Sequence, residues 1–341
     1  MMAAYTKQAR DGPLPRLQLI ADLEAHVDRA WQLSWSPTEP VLASCGADKV
    51  IRLHRYRLPG QLPGVGKHVR WHTQATLESG HARAVRSLAW STDGSTLATG
   101  SFDSTIGVWE QLPPEDTDMD ADDVEENCEW ECIGTLEGHD SEVKGVAFSH
   151  DGTLLASCGR DKSVWIWEAH ADSDYETLSV LMEHSQDVKA VAWHPCEELL
   201  ASASYDDTIK IYADDPSDDW FVLQSLTGHT STVWSIAFSP CGQFIVSGSD
   251  DRTVRIWRRL SEHQARLQGL SPNKRWACTN VLRGWHVRPV LSVSWSTFTN
   301  STPDLGLIAS TGADGNIIIY QVVSLSVPFC SSFDPDIRTP A

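Results

Sequence analysis

The sequence predicts an all-β fold in which small antiparallel sheets repeat along the chain, as they do in a β-propeller. The first observation is a histidine that is followed 22 residues later by an aspartate, five times over. The second is a hydroxyl residue four positions before each aspartate and an aromatic or imidazole ring six positions after it. The third is the sequence between these positions, in which short β-rich runs of alternating residues are separated by turn residues. A repeat of this length is the sequence signature of a propeller.

Six such repeats can be followed from the first to the last third of the chain. The evenly spaced pairs are His26/Asp48, His81/Asp103, His139/Asp161, His184/Asp206 and His229/Asp251. A sixth pair, His286/Asp314, is stretched to 28 residues by the insert FTNSTPDLG. The hydroxyl residues are Ser44, Thr99, Ser157, Ser202, Ser247 and Ser310. The rings are His54, Trp109, Trp167, Tyr212, Trp257 and Tyr320.

Each repeat predicts one small antiparallel sheet. In VWSIAFSPCGQFIVSGSDDRTVRIW, which begins at Val233, turn residues separate three short β-rich runs. A fourth run stands before each histidine, for example WECIGTL, TLSVLM and FVLQSL. One repeat therefore supplies the outer strand of one sheet and the inner three strands of the next.

The four marked residues of each repeat predict a hydrogen-bonded chain that ties loop to strand. A hydroxyl, an imidazole, a carboxylate and an indole N–H can satisfy one another within one sheet. This arrangement resembles the tetrad of WD repeats. A Ser–His–Asp hydrolase would place one such constellation beside an oxyanion hole, whereas this one occurs six times. We therefore expect structural tetrads, no catalytic residues and no enzyme activity.

Composition narrows the classes of partner. The net charge of −19 argues against nucleic-acid binding, which needs a basic face. No apolar run is long enough to span a membrane, and the start lacks the apolar core of a secretory signal, which predicts a cytoplasmic location that can extend to the nucleus. The eight cysteines are expected to be reduced. Cys128 and Cys132 come nearest to a ligand pair, but no second pair follows, so we expect no metal and no cofactor.

The text from Leu136 to Trp257 is more specific than a general repeat. It contains LLASCGRDKSVWIWE, HSQDVKAVAWHPCEELLASASYDDTIKIY and LTGHTSTVWSIAFSPCGQ. These words closely resemble the WD-repeat proteins of cytosolic iron–sulfur protein assembly. The similarity covers residues 17 to 322 and is strongest from Leu136 to Arg259.

The resemblance implies a scaffold of the complex that matures cytosolic and nuclear iron–sulfur proteins. It implies a MIP18-family protein, an MMS19-type HEAT-repeat protein, an iron-only-hydrogenase-like protein and apo iron–sulfur clients as partners. The alternative is a substrate receptor of a cullin-type ubiquitin ligase. Such a receptor would show an arginine two residues beyond a Trp-Asp pair, whereas the third strands here end in WEQ, WEA, YAD and WRR.

The resemblance also implies seven sheets, one more than the repeats found. We expect a disordered segment at 1–16, a propeller at 17–322 and a tail at 323–341 that is a truncated or mis-spliced ending without a seventh repeat. Two arrangements are open. Either LQLIADL pairs with NIIIYQV to close a six-bladed ring, or a gap remains where a seventh sheet would lie. Such a gap would leave strand edges exposed.

Two positions in each repeat are expected to face partners around the central channel: one follows the first-strand valine (alanine in the first repeat), and the other precedes the tetrad aspartate. The first set is Trp31, Arg86, Lys144, Lys189, Trp234 and Leu291, and the second is Ala47, Phe102, Arg160, Tyr205, Asp250 and Ala313. Basic and aromatic residues dominate both sets, and such residues often form binding hot spots for an acidic segment. The simpler interpretation is ordinary strand ends with solvated charges. The acidic inserts at 113–131, 171–176 and 214–219 are expected on the other face, solvated or in contact with a basic partner.

Overall fold

A computed structural model describes residues 21–23, 25–57, 70–112, 129–170, 174–215, 219–271, 273–296 and 304–323. These residues form six antiparallel sheets, which are the blades of a propeller, and one short helix. The predicted all-β propeller with six repeats is therefore confirmed. The predicted segment 1–16, residues 324–341 of the predicted tail 323–341, most of the acidic insert 113–131 and Cys128 lie outside the described residues, whereas Val323 ends the last strand.

Each blade takes its strands in chain order from the channel outward. Blade one holds β1 (Ala30–Trp35), β2 (Val41–Gly46), β3 (Val50–Arg57) and β4 (Arg70–Glu78). Blade two holds β5 (Val85–Trp90), β6 (Thr96–Ser101), β7 (Ile106–Gln111) and β8 (Trp130–Leu136). Blade three holds β9 (Val143–Phe148), β10 (Leu154–Gly159), β11 (Val164–Ala169) and β12 (Tyr175–Leu181).

The remaining blades follow the same order. Blade four holds β13 (Val188–Trp193), β14 (Leu199–Ser204), β15 (Ile209–Asp214) and β16 (Trp220–Leu226). Blade five holds β17 (Val233–Phe238), β18 (Phe244–Ser249), β19 (Val254–Arg259), the helix α1 (Glu262–Leu267) and β20 (Trp276–Leu282). Blade six holds β21 (Val290–Trp295), β22 (Asp304–Gly312) and β23 (Ile317–Val323). Among the described residues blade six has no fourth strand.

The turn after each tetrad aspartate requires a left-handed backbone. The residues that adopt it in blades one to five are Lys49, Ser104, Lys162, Asp207 and Arg252, with φ between 65° and 73°. Blade six places Gly315 there, with φ 77°, and glycine accepts this conformation without the steric cost of a side chain. The turn aims the aspartate carboxylate back toward the histidine of the same blade.

The core lies between the blades rather than at one centre. Five hydrophobic clusters are formed by the described residues, and each spans one junction between consecutive blades. The second strands β6, β10 and β14 are buried at every position because they are covered on both faces. Cys45 and Cys158 belong to this core as free thiols, and burial raises the pKa of Cys45 to about 12.

Within the described residues, the junction between blade six and blade one differs from the other five. Consecutive inner strands pack from β1 to β5, β9, β13, β17 and β21, but no comparable packing joins β21 to β1 within the described ranges. Residues 21–23, the end of LQLIADL, are not in a strand. Residues 17–20 of LQLIADL lie outside the described residues, so both arrangements considered above stay predictions, and we call the junction between blades six and one the seam.

Candidate functional site

The four residues marked in each repeat meet in the structure. In blade five the His229 ring lies 2.8 Å from an oxygen of Asp251 and 2.8 Å from the hydroxyl of Ser247. The indole N–H of Trp257 donates to the same Ser247 hydroxyl at 2.9 Å. Because the polar side-chain atoms of these four residues are hydrogen-bonded to one another, the tetrad holds the loop before the first strand against the turn after the second.

The other tetrads repeat this geometry. Blade two joins His81 to Asp103 (3.1 Å), to Thr99 (3.1 Å) and through Thr99 to Trp109 (3.2 Å). Blade three joins His139 to Asp161 (2.7 Å), to Ser157 (2.8 Å) and through Ser157 to Trp167 (3.0 Å). Blade four joins His184 to Asp206 (2.8 Å), to Ser202 (2.6 Å) and through Ser202 to Tyr212 (3.3 Å). The end blades hold His26, Asp48, Ser44 and His54, and His286, Asp314, Ser310 and Tyr320.

The charge states of the tetrad aspartate and histidine suit a structural role. Burial acts to raise the pKa of Asp251, but hydrogen bonds from His229 and Thr253 outweigh it and hold the pKa well below its usual range. Burial lowers the pKa of His229, although Asp251 opposes that effect. A charged carboxylate beside a largely neutral imidazole is thus the stable state near neutral pH. Its hydrogen bonds are all committed within the blade.

The candidate partner surface is a rim around the channel on the tetrad face. Every inner strand skips one residue in its pairing with the second strand, which is a β-bulge. In β5, for example, Val85 pairs with Ser101 and Ser87 with Gly100, so that Arg86 has no partner in the ladder. The skipped residues are Trp31, Arg86, Lys144, Lys189, Trp234 and Leu291. All six are members of the first set predicted from the sequence.

The second set is tied to the same bulges through the backbone. The backbone N–H of Arg160 donates to the carbonyl of Glu142 at 2.9 Å, and that of Tyr205 donates to Asp187 at 2.9 Å. The N–H of Phe102 likewise bonds to the carbonyl of Ala84 at 2.9 Å. The residue before each tetrad aspartate is therefore held beside the start of the inner strand. This brings the two predicted sets together on one rim.

Cations and aromatic rings alternate along this rim. The Arg86 guanidinium lies 5.2 Å from the Trp31 ring, and the Lys144 ammonium lies 3.9 Å from the Phe102 ring. The Trp31 and Phe102 rings are 6.2 Å apart, which joins the two contacts into one cluster. Contacts of this kind between a cation and the face of a ring are attractive.

A second cluster continues along the rim in blades four and five. The Lys189 ammonium lies 5.3 Å from the Tyr205 ring and 5.3 Å from the Trp234 ring. Tyr205 is 48% exposed, and the buried indole nitrogen of Trp234 has no hydrogen-bond partner in the described part of the chain. This cluster therefore presents the exposed ring of Tyr205, and the indole donor of Trp234 is buried behind it without a hydrogen bond.

Two acidic residues organise the cations. Glu142 contacts Lys144 at 2.8 Å, Arg83 at 3.1 Å and Arg160 at 3.6 Å. The hydrogen bond from Lys144 lowers the pKa of Glu142, and burial lowers the pKa of Lys144. Asp187 holds Lys189 at 2.9 Å. The Arg160 side chain is 59% exposed, so its guanidinium can still meet a partner.

Arg83, Glu142 and Asp187 were missed by the sequence reasoning. The signal was present in SEVKGVAF and QDVKAVAW, where an acid stands two residues before each lysine. Residues two apart in a strand point to the same face, so the acid and the lysine were placed to pair. Ala47, Ala313 and Leu291 lie on the rim toward the seam, and they take no part in the cation clusters.

Arg86 differs from the other rim cations. It forms no ion pair with any described residue, and burial lowers its pKa. No group of three or more histidine, cysteine, aspartate or glutamate side chains with metal-binding geometry occurs in the described ranges. Among those residues no helix is long and apolar enough to cross a membrane. The rim is the strongest candidate for binding.

The blades and tetrads define a propeller of the WD class. The family model described as "WD domain, G-beta repeat" matches residues 17–55, 71–110, 130–168, 175–213 and 220–258. These matches extend from blade one to the third strand of blade five. The sixth blade forms the same tetrad in spite of its longer insert.

Relatives narrow the class. A Mycosarcoma maydis protein is 55% identical over 94% of this chain and 77% of its own length, and a Malassezia globosa protein is 60% identical over 77% and 76%. A Cryptococcus neoformans protein is 44% identical over 47% of this chain and 41% of its own length. All three are named "Probable cytosolic iron-sulfur protein assembly protein 1". The chain belongs to this family of WD-repeat proteins.

Proposed function

We propose that this chain is a non-catalytic scaffold of cytosolic iron–sulfur protein assembly, and that partner proteins bind to the rim on its tetrad face. The rim carries this proposal: it alternates cations with aromatic rings in a chain whose net charge is −19. The names of the relatives indicate the process, which is cytosolic iron–sulfur protein assembly. Arginine and aromatic residues at the centre of an interface commonly supply most of its affinity.

The partners in this proposal are a MIP18-family protein, an MMS19-type HEAT-repeat protein, an iron-only-hydrogenase-like protein and apo iron–sulfur clients. The chemistry of the rim favours a partner segment that carries carboxylates. Arg160 can grip a carboxylate with two parallel hydrogen bonds, a geometry that lysine does not reproduce. Phe102 and Tyr205 provide apolar surface beside it.

Reversing the charge of Arg160 tests this proposal. We expect Arg160→Glu to weaken partner binding by roughly 2 kcal/mol or more, because it replaces the exposed guanidinium with a carboxylate that repels an acidic partner segment. Binding is measured by recovering MIP18-type and client proteins at matched protein levels. Tyr205→Ala, which removes an exposed ring without changing charge, is expected to weaken the same interactions.

Arg266→Glu is the matched control, since Arg266 is an exposed arginine of α1 on the opposite face. Circular dichroism and thermal melting should match the parent for all three variants. Equal recovery of every partner by Arg160→Glu, Tyr205→Ala and the control would refute the assignment of the rim. Recovery of cullin adaptors in place of a MIP18-type protein would refute the assembly role.

A further inference from the structure

A cleft on the face opposite the tetrads collects arginines. It has a volume of about 400 Å³ and lies where the turns after β13 and β17 meet the connection from β19 to β20. Arg258 and Arg259 come from the end of β19, and Arg275 stands just before β20. Glu197 and Gln243 come from the two turns. Three arginines therefore line one concave site in an acidic chain.

One of the three arginines is already neutralised. The Arg259 guanidinium donates to a carboxylate oxygen of Glu197 at 2.6 Å, and this hydrogen bond lowers the pKa of Glu197. The backbone N–H of Arg259 also bonds to the carbonyl of Gln243 at 2.9 Å. The ion pair between Arg259 and Glu197 links blades five and four, and it forms a fixed wall of the cleft.

The other two arginines are free to meet a ligand. Neither Arg258 nor Arg275 forms an ion pair with any residue that the structure describes. The Arg258 guanidinium lies 6.0 Å from the Phe244 ring, which supports its side chain without neutralising it. Three arginines and one glutamate leave the lining with a net charge of plus two. A ligand group with two negative charges would match that excess.

The neighbouring helix does not supply the binding groups. The Ser261 hydroxyl accepts from the Gln264 N–H at 3.3 Å, and the Gln264 side chain accepts from the Ser261 N–H at 3.1 Å. This capping box occupies the backbone N–H groups of Ser261 and Gln264 at the start of α1, which has only six residues. The cationic groups of the cleft that no ion pair neutralises are the guanidiniums of Arg258 and Arg275.

We propose that this cleft binds the phosphate dianion of a phosphomonoester, held between Arg258 and Arg275. A guanidinium offers two parallel donors to two phosphate oxygens, and the charge assistance strengthens both bonds. The volume exceeds that of a phosphate group alone, so the site takes the phosphate together with the group that carries it. The site is separate from the rim and independent of the partners proposed there.

The test is calorimetric titration of the full chain with four probes: a short phosphoserine peptide, its unphosphorylated form, AMP and inorganic phosphate. We expect a phosphate-bearing probe to saturate one site and the unphosphorylated peptide not to bind. The double variant Arg258→Ala/Arg275→Ala should weaken binding at least tenfold, and Arg266→Ala, outside the cleft, should leave it unchanged. A peptide stronger than AMP and phosphate identifies a phosphorylated protein as the source, and the reverse order identifies a small phosphomonoester.

The pH dependence separates a dianion from a monoanion. Phosphomonoesters lose their second proton near pH 6, so the affinity should rise between pH 5 and pH 7.5. Glu197→Gln frees Arg259 and should tighten binding severalfold. The absence of saturable binding by every phosphate probe would overturn the proposal. So would equal binding by the double variant and the parent when circular dichroism shows that both are folded.

Discussion

Blades two to five and the two blades at the seam carry the same sequence pattern but bury it differently. Leu33 of β1 is 60% exposed. At the matching position of the inner strand, each other blade buries its residue to 9% exposure or less: Leu88, Val146, Val191, Ile236 and Val293. The register is the same in every case, since each of these residues pairs with the tetrad hydroxyl residue.

The other side of the seam shows the same effect. Ile317 and Ile319 of β23 are 62% and 55% exposed. Their counterparts in blade two, Ile106 and Val108, are 1% and 0% exposed. The difference teaches that a repeat determines which face of its sheet is apolar, whereas the neighbouring blade determines whether that face is buried.

The same leucine-to-alanine substitution, made at a buried inner strand and at the inner strand beside the seam, tests this comparison most directly. Leu88→Ala should destabilise the chain by about 2 to 5 kcal/mol, because it leaves a cavity between blades one and two. Leu33→Ala should change stability by no more than about 0.5 kcal/mol, since that side chain already meets solvent. Urea unfolding followed by tryptophan fluorescence measures both. Equal losses would mean that the seam is closed in solution.

The tetrads extend the comparison to polar groups. Asp251 accepts from His229, from the backbone of Thr230, and from both the backbone and the hydroxyl of Thr253. Blade one has Val50 where blade five has Thr253, so Asp48 lacks the hydroxyl bond. A hydroxyl stands at this position in blades two to five, whereas blade six has Asn316.

We expect Asp251→Ala to lower the free energy of unfolding by about 1 to 3 kcal/mol, because the donors that the carboxylate now satisfies would lose their hydrogen-bond partner. Asp48→Ala should cost less, since it strands fewer of them. The neighbouring Asp250→Ala is the control, and it should melt within a degree or so of the parent. Thermal melting of the three variants ranks them. An unchanged melting temperature for Asp251→Ala would show that this tetrad does not hold its blade.

The smallest expected effect is a pH dependence of the interior tetrads. Burial lowers the pKa of His81 and His229 in the folded chain below the ordinary value of 6.5. The unfolded chain therefore takes up protons first, and stability should fall as the pH decreases from about 6.5 through the lower folded-state pKa. Melting curves between pH 7.5 and pH 5.5 measure this slope. His229→Gln should reduce it, and an unchanged slope would contradict the assignment.

The repeated features of the fold could be predicted from the sequence because they depend on local spacing. His139 and Asp161 are separated by the same 22 residues as four other pairs, and the structure joins each pair with the same hydrogen bonds. The rim positions followed from the same spacing, since the tetrad determines which residues flank the channel.

Features that depend on the relation between blades could not be predicted in this way. The ion pair between Arg83 and Glu142 joins blades two and three, and it depends on how the two blades are placed against each other. The arginine cleft joins Glu197 to Arg258 and Arg275 across 60 residues or more of chain.

The β-bulge in each inner strand places one rim residue outside the hydrogen-bonded ladder that holds the blade. A residue that sits outside the ladder, as Lys144 and Trp234 do, can be exchanged without shifting the register of the strands beside it. The six bulge positions therefore form a natural site for combinatorial diversification. A library confined to them would retain one propeller throughout while varying the side chains on the rim, which makes the rim a scaffold for engineered binders.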